Sequence, residues 1–470
     1  MSIPIGFLKK NALVLFLLIL ILIVGHTLRH YQYYQVPHPG DTDDEYSFAW
    51  VGLSLIEYGY PIAWSGIDGY KTHDYQRINV DHIFSDDPSR KDFPIDKPWF
   101  DHPPLFGLIT GGFAYLKGAR EFEKTTVFII RKPMLIIGIL TTILIFIFAT
   151  QLYGQTTGLI SALLYSIIPT SIISSRLALA ENGYIPLFLI SLILLNYFFK
   201  TKKGLFLFSA LFFGSLAILF KLSAIFILIS ISLLLIIYGG KNRFKFFLYT
   251  LISILIPLLI FLLYGTYFNF DTFIKVFLSN SHRFYGAGPE IFYSVLAQPK
   301  IVSNHNLTDG WIILGWISLF IISFTGFKND KQSIILTVIT FSYFLIFLIF
   351  GSESYGWYRF PFLPILIISI AKTIQNLYNS NNIFLTLALF LLPFGTSVHR
   401  ILGVENFQPF VPLTRIFILL TLSIFLGLIF KKNLFTKIYK VYFLILFLLL
   451  LLFSIQELYY LNYDHWFFIT

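Results

Sequence analysis

The sequence predicts an all-α integral membrane protein with about thirteen transmembrane helices. Three observations point there. Of 470 residues, 56% are hydrophobic and 12% charged, with a mean hydropathy of +0.76. A soluble domain is typically about 45–50% apolar and roughly 25% charged, so lipid must solvate much of this chain. Apolar runs of spanning length recur along its whole course. The 54 Phe and 28 Tyr supply bulk for helix packing and for the interfacial belts where aromatic rings settle.

A span needs roughly 20 apolar residues. Such runs lie near 11–28, 133–152, 156–174, 183–199, 204–220, 222–238, 246–264, 310–327, 333–350, 360–376, 382–398, 411–430 and 440–456. The first follows Lys9 and Lys10, as a signal peptide would. No small-residue cleavage site comes after it, and the next residues are bulky (His26, Arg29, His30, Tyr31), so it reads as an uncleaved span.

One apolar stretch is left over, Pro103–Gly118. It is short, opens on two prolines and is rich in glycine, which fits an interfacial or re-entrant segment. Charge decides its placement. With the N-terminus inside and this stretch not spanning, the inner segments hold 15 of the 34 Lys and Arg and one of the 24 acids, Asp330. That is +14 inside and −4 outside, which together make the overall +10. A spanning Pro103–Gly118 would turn Lys200, Lys202 and Lys203 outward, against the positive-inside bias.

The same distribution disposes of nucleic acid as a partner, because the basic residues sit in short loops between apolar runs. The absence of cysteine excludes disulfides, thiolate metal sites and cysteine nucleophiles. Two sizeable loops remain on the outer face, about 29–132 and 265–309. The chain thus divides into one membrane module, 1–264, with the first loop, and a second, variable one, 265–470, with the other.

The first loop carries most of the clustered polar chemistry. It opens with Asp41-Thr-Asp-Asp-Glu45, followed by a segment to Glu57 that reads as an amphipathic helix lying at the interface. Asp side chains cap helices and negative charge suits a helix start. One cap needs one Asp, however, and here three Asp and a Glu fall within five residues. Further on, Asp101-His102 precedes Pro103-Pro104, a pattern that also serves as a plain turn into a helix. Single charges then mark outer helix ends: Arg131, Arg176, Glu181, Lys221, Arg283 and Arg359. Each alone could be a headgroup anchor. Together they form a cationic ring suited to a lipid phosphate. Lys221 is the strongest phosphate candidate, because it lies between two otherwise uncharged spans.

Taken in order and sidedness, these residues resemble the C-type membrane glycosyltransferases. The nearest groups are the aminoarabinose transferase and protein O-mannosyltransferase relatives, including the RgtA/B/C/D-like branch. The resemblance implies a polyprenyl-phosphate sugar as donor. It implies an acceptor hydroxyl on a glycolipid, polysaccharide or protein at the outer face of the cell membrane. By that likeness Asp44 is the catalytic carboxylate, with Glu45 beside it. Asp101-His102 matches an acid–base pair in which the acid can sit at a metal and the base near the donor phosphate. Arg176 and Glu181 match a second cavity-facing segment, where the commoner acid is Asp. His282-Arg283 matches a His…Arg-Phe element at shorter spacing, which makes Asp101 and His282 the candidate ligands of a divalent metal and Arg283 a phosphate contact. Tyr358-Arg359-Phe360-Pro361 resembles a late outer turn facing substrate. The alternative is a transporter or flippase of a sugar lipid. Such proteins place ionisable groups near mid-bilayer, often in paired halves, whereas the span interiors here are almost uncharged.

Reporter fusions check the topology. A reporter active only in the cytoplasm should work after Lys203 and fail after Thr470, beyond the Tyr463–Trp466 tail. Cytoplasmic activity at Thr470 would overturn the assignment.

Overall fold

The computed structural model describes residues 12–83, 92–281, 301–302, 307–326, 330–350, 355–430 and 432–462. The apolar runs form helices throughout. In chain order these are α1 (Ala12–His30), α2 (Asp44–Tyr58), α3 (Leu105–Leu116), α4 (Lys132–Tyr153), α5 (Gln155–Tyr165), α6 (Pro169–Ser174), α7 (Ala180–Thr201), α8 (Gly204–Ile218) and α9 (Ile225–Tyr238). There follow α10 (Arg243–Ser281), α11 (Gly310–Gly326), α12 (Lys331–Phe350), α13 (Leu363–Ser380), α14 (Ile383–Phe407), α15 (Val411–Phe430) and α16 (Lys432–Asn462). Eight helical stretches among the described residues are long and apolar enough to cross a membrane, and shorter apolar helices accompany them. The all-α membrane class therefore holds, while length and composition single out eight spans rather than thirteen.

Where the lipid lies is legible from exposure. Leu13, Phe16 and Ile23 on α1, Leu259 and Leu263 on α10, and Leu419 on α15 are all exposed. Large apolar side chains left outside in such rows fit hydrocarbon contact. Inside, one buried apolar cluster runs from Leu28 to Leu461. It joins side chains from both sides of the 264/265 boundary. Across that boundary α10 continues, and its only non-helical residue is Asn269.

Three features depart from the sequence expectation. The run 156–174 is not one helix but two, α5 and the single short α6, which begins at Pro169. Proline at N1 sets the helical φ and lacks only a donor that would be unpaired there anyway. Second, α2 is no surface amphipath: every residue from Glu45 to Ser54 is buried. Third, the outer loop contains a small sheet in the order β1-β3-β2, from Ala63–Trp64 (β1), Asp74–Gln76 (β2) and Phe93–Asp96 (β3), paired antiparallel. Strands of two to four residues leave too little periodicity to read in advance.

Within the first loop two helices cross closely. Gly107 and Gly111 are four apart, so they share one face of α3. That face meets Gly52 of α2. A Cβ on Gly52 would stand 1.8 Å from the Gly107 carbonyl oxygen, and one on Gly111 would stand 2.3 Å from that of Ala49. Small residues at i and i+4 allow this approach in membrane helices. At 12 residues, α3 extends about 18 Å, well short of a hydrocarbon core of about 30 Å.

Gly52→Ala should therefore push the two helices apart and destabilise the protein by about 1–3 kcal/mol, as overpacking does. Gly66→Ala, where a Cβ meets nothing closer than 3.6 Å, should be mild by comparison. Melting temperatures of the two purified variants make the comparison, and equal melting would refute the tight crossing.

Candidate active site

The site is built on the first turn of α2. Asp43 precedes that helix without making a side-chain cap, so the capping role open to it is not taken up. Asp44 and Glu45 are the first two helical residues. Adjacent residues on a helix point roughly 100° apart, and the pair divides accordingly.

Glu45 turns inward and is completely buried. Its two oxygens take Arg131 Nε at 2.8 Å and Nη2 at 2.6 Å, a bidentate pair. Oε1 also accepts the backbone N–H of Ala178 at 2.7 Å. Arg131 Nη1 donates to the carbonyls of Tyr33 and Pro37. Arg176 is equally buried, and its guanidinium donates to the carbonyls of Leu28, Arg29, Tyr31 and Val36. Glu45 and Arg176 are thus both tied to other parts of the chain by buried hydrogen bonds. Arg29, which sequence reasoning passed over, is a third buried arginine, bonded to Ser175 Oγ at 2.9 Å and to the Tyr165 carbonyl at 2.8 Å. Its lone position at the end of an apolar run gave no sign of that depth.

A second pair stands beside Asp44. The chain bends after α6, runs extended at Leu179 and starts α7 with Glu181 in its first turn. Another bend, between α8 and α9, carries Lys221 in an extended conformation. Lys221 Nζ donates to Glu181 Oε1 at 2.6 Å. The lysine lies 4.7 Å from the ring centre of Tyr358, a cation–π distance. Both Asp44 and Tyr358 are near enough to act on its charge. Glu181 Oε2 is buried and meets no hydrogen-bond partner among the described residues, an arrangement that ordinarily implies an additional polar group. Tyr358 and Arg359 sit on a 3₁₀ turn, Gly356–Phe362, which Tyr343 secures by donating to the Tyr358 carbonyl at 2.8 Å. Asp44, Glu181, Lys221 and Tyr358 are therefore assembled from four separate segments.

Asp101 and His102 adjoin this group from the loop side. The His102 ring stacks on Phe48 at 5.4 Å between centres, and Phe48 lies one helical turn beyond Asp44. Asp101 Oδ1 accepts the Tyr70 hydroxyl at 2.8 Å, and its carbonyl accepts Asn280 Nδ2. Burial first, then the nearby Asp101 charge, holds the Tyr70 phenol well above its ordinary pKa, so it stays a donor. In the sheet, burial raises Asp96 to about 6, against the opposing bond from His73 Nδ1 at 2.8 Å. No group of three or more metal-ligating side chains occurs among the described residues. His282 and Arg283 lie outside them.

Comparison with known proteins bears on this geometry. Residues 101–265 match the family described as dolichyl-phosphate-mannose-protein mannosyltransferase. That stretch includes Asp101, His102, Arg176, Glu181 and Lys221 and stops short of Asp44. No curated protein matches the chain. Among solved structures, the apo form of ArnT from Cupriavidus metallidurans is similar at 14% identity and a TM-score of 0.58, covering 97% of this chain and 78% of that one. The same enzyme bound to undecaprenyl phosphate gives 12% identity, coverages of 96% and 77%, and a TM-score of 0.54. The oligosaccharyltransferase of Archaeoglobus fulgidus gives 11% identity and a TM-score of 0.51 over 81% of this chain. The chain spans about half the length of that archaeal protein, 52%. At these identities the likeness is one of fold. The fold is similar to that of ArnT and of the archaeal oligosaccharyltransferase.

The Glu45–Arg131 pair yields a direct test. Arg131→Met should cost about 3–5 kcal/mol, because it strands a buried carboxylate. Adding Glu45→Gln should recover much of the loss. A double-mutant cycle on thermal unfolding reads the coupling, and additive losses would contradict the pairing.

Proposed function

We propose that the chain is a glycosyltransferase that moves a sugar from a polyprenyl-phosphate donor to an acceptor hydroxyl at the outer face of the cell membrane. The observation that carries this reading is the buried Lys221–Glu181 pair, placed where the charge of Asp44 acts on the lysine, on a fold similar to that of a protein solved with undecaprenyl phosphate. In this scheme Asp44 is the base. It takes the acceptor proton while the acceptor oxygen attacks C1 of the sugar. The bond from C1 to the phosphate oxygen breaks, and the lipid phosphate leaves with the electron pair. Attack opposite the leaving group inverts the anomeric centre.

A phosphate leaving group needs charge stabilisation rather than a proton. Lys221 supplies it, with Arg359 in the neighbouring turn as a second cation. Glu181 holds the lysine through one oxygen and presents the other to an acceptor or donor hydroxyl. Arg176 takes no part in phosphate binding, since its guanidinium is committed to carbonyls. His102 lines the approach to Asp44. The N-terminus is cytoplasmic in this reading, and 1–264 is the catalytic module.

General-base help is worth about 10²–10⁴ in rate, or roughly 3–5 kcal/mol. Asp44→Asn should lower turnover by about that factor in folded, purified protein, because an amide cannot accept the proton. Were Asp44 only a helix-start charge, Asn would serve nearly as well, so near-normal transfer would refute the base. In the same assay Lys221→Ala should raise the donor KM, and an unchanged donor KM and turnover would reduce Lys221 to an anchor.

A further inference from the structure

The far end of the bundle holds a cleft that the transfer reaction does not use. Helix α7 has 22 residues, so roughly 33 Å separates its two ends. Glu181 stands at one end, and Lys202 caps the other. A cleft of about 450 Å³ opens there between α7, α8, α9 and α10, lined among others by Phe198, Lys202, Tyr238, Asn242, Lys245 and Tyr249. Lys331, at the start of α12, sits 4.3 Å from the Phe199 ring and 4.7 Å from the Tyr238 ring. Lys245 lies 5.6 Å from the Tyr249 ring, and Lys202 lies 5.9 Å from that of Phe198.

Two lysines, Lys202 and Lys245, thus line an aromatic-walled space, and Lys331 lies against the ring of Tyr238 in its wall. Lys200 and Lys202 are both close enough to act on the charge of Lys331. The acid nearby, Asp330, accepts Ser333 Oγ at 2.5 Å and the Gln332 amide at 3.2 Å, both within the first turn of α12. Lys202 itself adopts a left-handed conformation, φ 58°, which glycine takes up more cheaply. Flanking the cleft, Leu205, Phe208 and Phe212 of α8 and Phe244, Leu251 and Ile252 of α10 are exposed.

We propose that this cleft binds an anionic phospholipid. Like charges held together need an anion, and aromatic walls under cations suit a headgroup phosphate. Exposed apolar flanks on α8 and α10 suit acyl chains, which a soluble anion lacks. A zwitterionic lipid carries its own ammonium into a space already rich in them. The proposal is independent of the transfer reaction, which takes place at the other end of α7.

The test uses the purified full-length chain with phosphatidylglycerol or phosphatidylcholine and counts retained lipid by native mass spectrometry. Each lysine near an anionic headgroup contributes about 1 kcal/mol, so Lys202→Gln/Lys245→Gln/Lys331→Gln should cut phosphatidylglycerol retention by tenfold or more, with phosphatidylcholine unchanged. A control with the same loss of charge, Lys372→Gln/Lys437→Gln/Lys440→Gln, should retain phosphatidylglycerol. Equal loss in both variants would overturn the proposal in favour of general surface charge. Displacement of the lipid by soluble glycerol phosphate at equal concentration would overturn it in favour of a small-anion site. Should the triple variant fail to fold, Lys245→Glu alone must still lower phosphatidylglycerol retention, and no change there refutes the site.

Discussion

Burying Glu45 is the constraint from which the site follows. An ionised carboxylate taken from water costs several kcal/mol unless fully paired. Here the pairing comes from two distant segments. Arg131 reaches it from the lead into α4, and Ala178 offers its amide from the bend before α7. One carboxylate thereby locks the start of α2 to both. Asp44 is next to Glu45 in the chain, and Glu181 is three residues beyond Ala178. Fixing Glu45 thus sets where Asp44 stands relative to Glu181 and, through it, Lys221.

The other two buried arginines extend the principle. Arg176 donates to backbone carbonyls at the end of α1 and in the turns after it, and Arg29 donates to the Tyr165 carbonyl at the end of α5. Those carbonyls would otherwise lack partners, a condition that buried backbone tolerates poorly. The division of labour is by depth. Cations with no exposure hold backbone and carboxylate in place. Lys221 meets only one of Glu181's two oxygens and leaves the other without a partner among the described residues.

Much of this was legible in the sequence, and the reasons differ by residue. Helices announce themselves through long apolar runs, so the expected spans fall largely on helix, the run broken at Pro169 apart. Asp44, Glu181, Lys221 and Tyr358 stood out as candidates because a charge or a polar turn beside an apolar run is costly and therefore conspicuous. What the runs could not convey was direction. Glu45 and Arg176 look like Asp44 and Lys221 in one dimension, and only the fold shows the first two locked in buried hydrogen bonds. The break at Pro169 and the short strands of the outer loop were hidden for another reason. Two- to six-residue elements owe their conformation to neighbours far along the chain, not to local pattern.

The separation of Glu45 from its partners also has a temporal side. Arg131 is 86 residues downstream and Ala178 is 133. At a synthesis rate of about 5–20 residues per second, roughly 7–27 seconds pass between translation of the acid and of its last ligand. Through that interval the outer loop cannot close, and its charge stays hydrated while further helices enter the membrane. The active end would thus be the last part of the first half to mature. A ribosome pausing between codons 131 and 178 would leave a chain already inserted but still open to proteases outside.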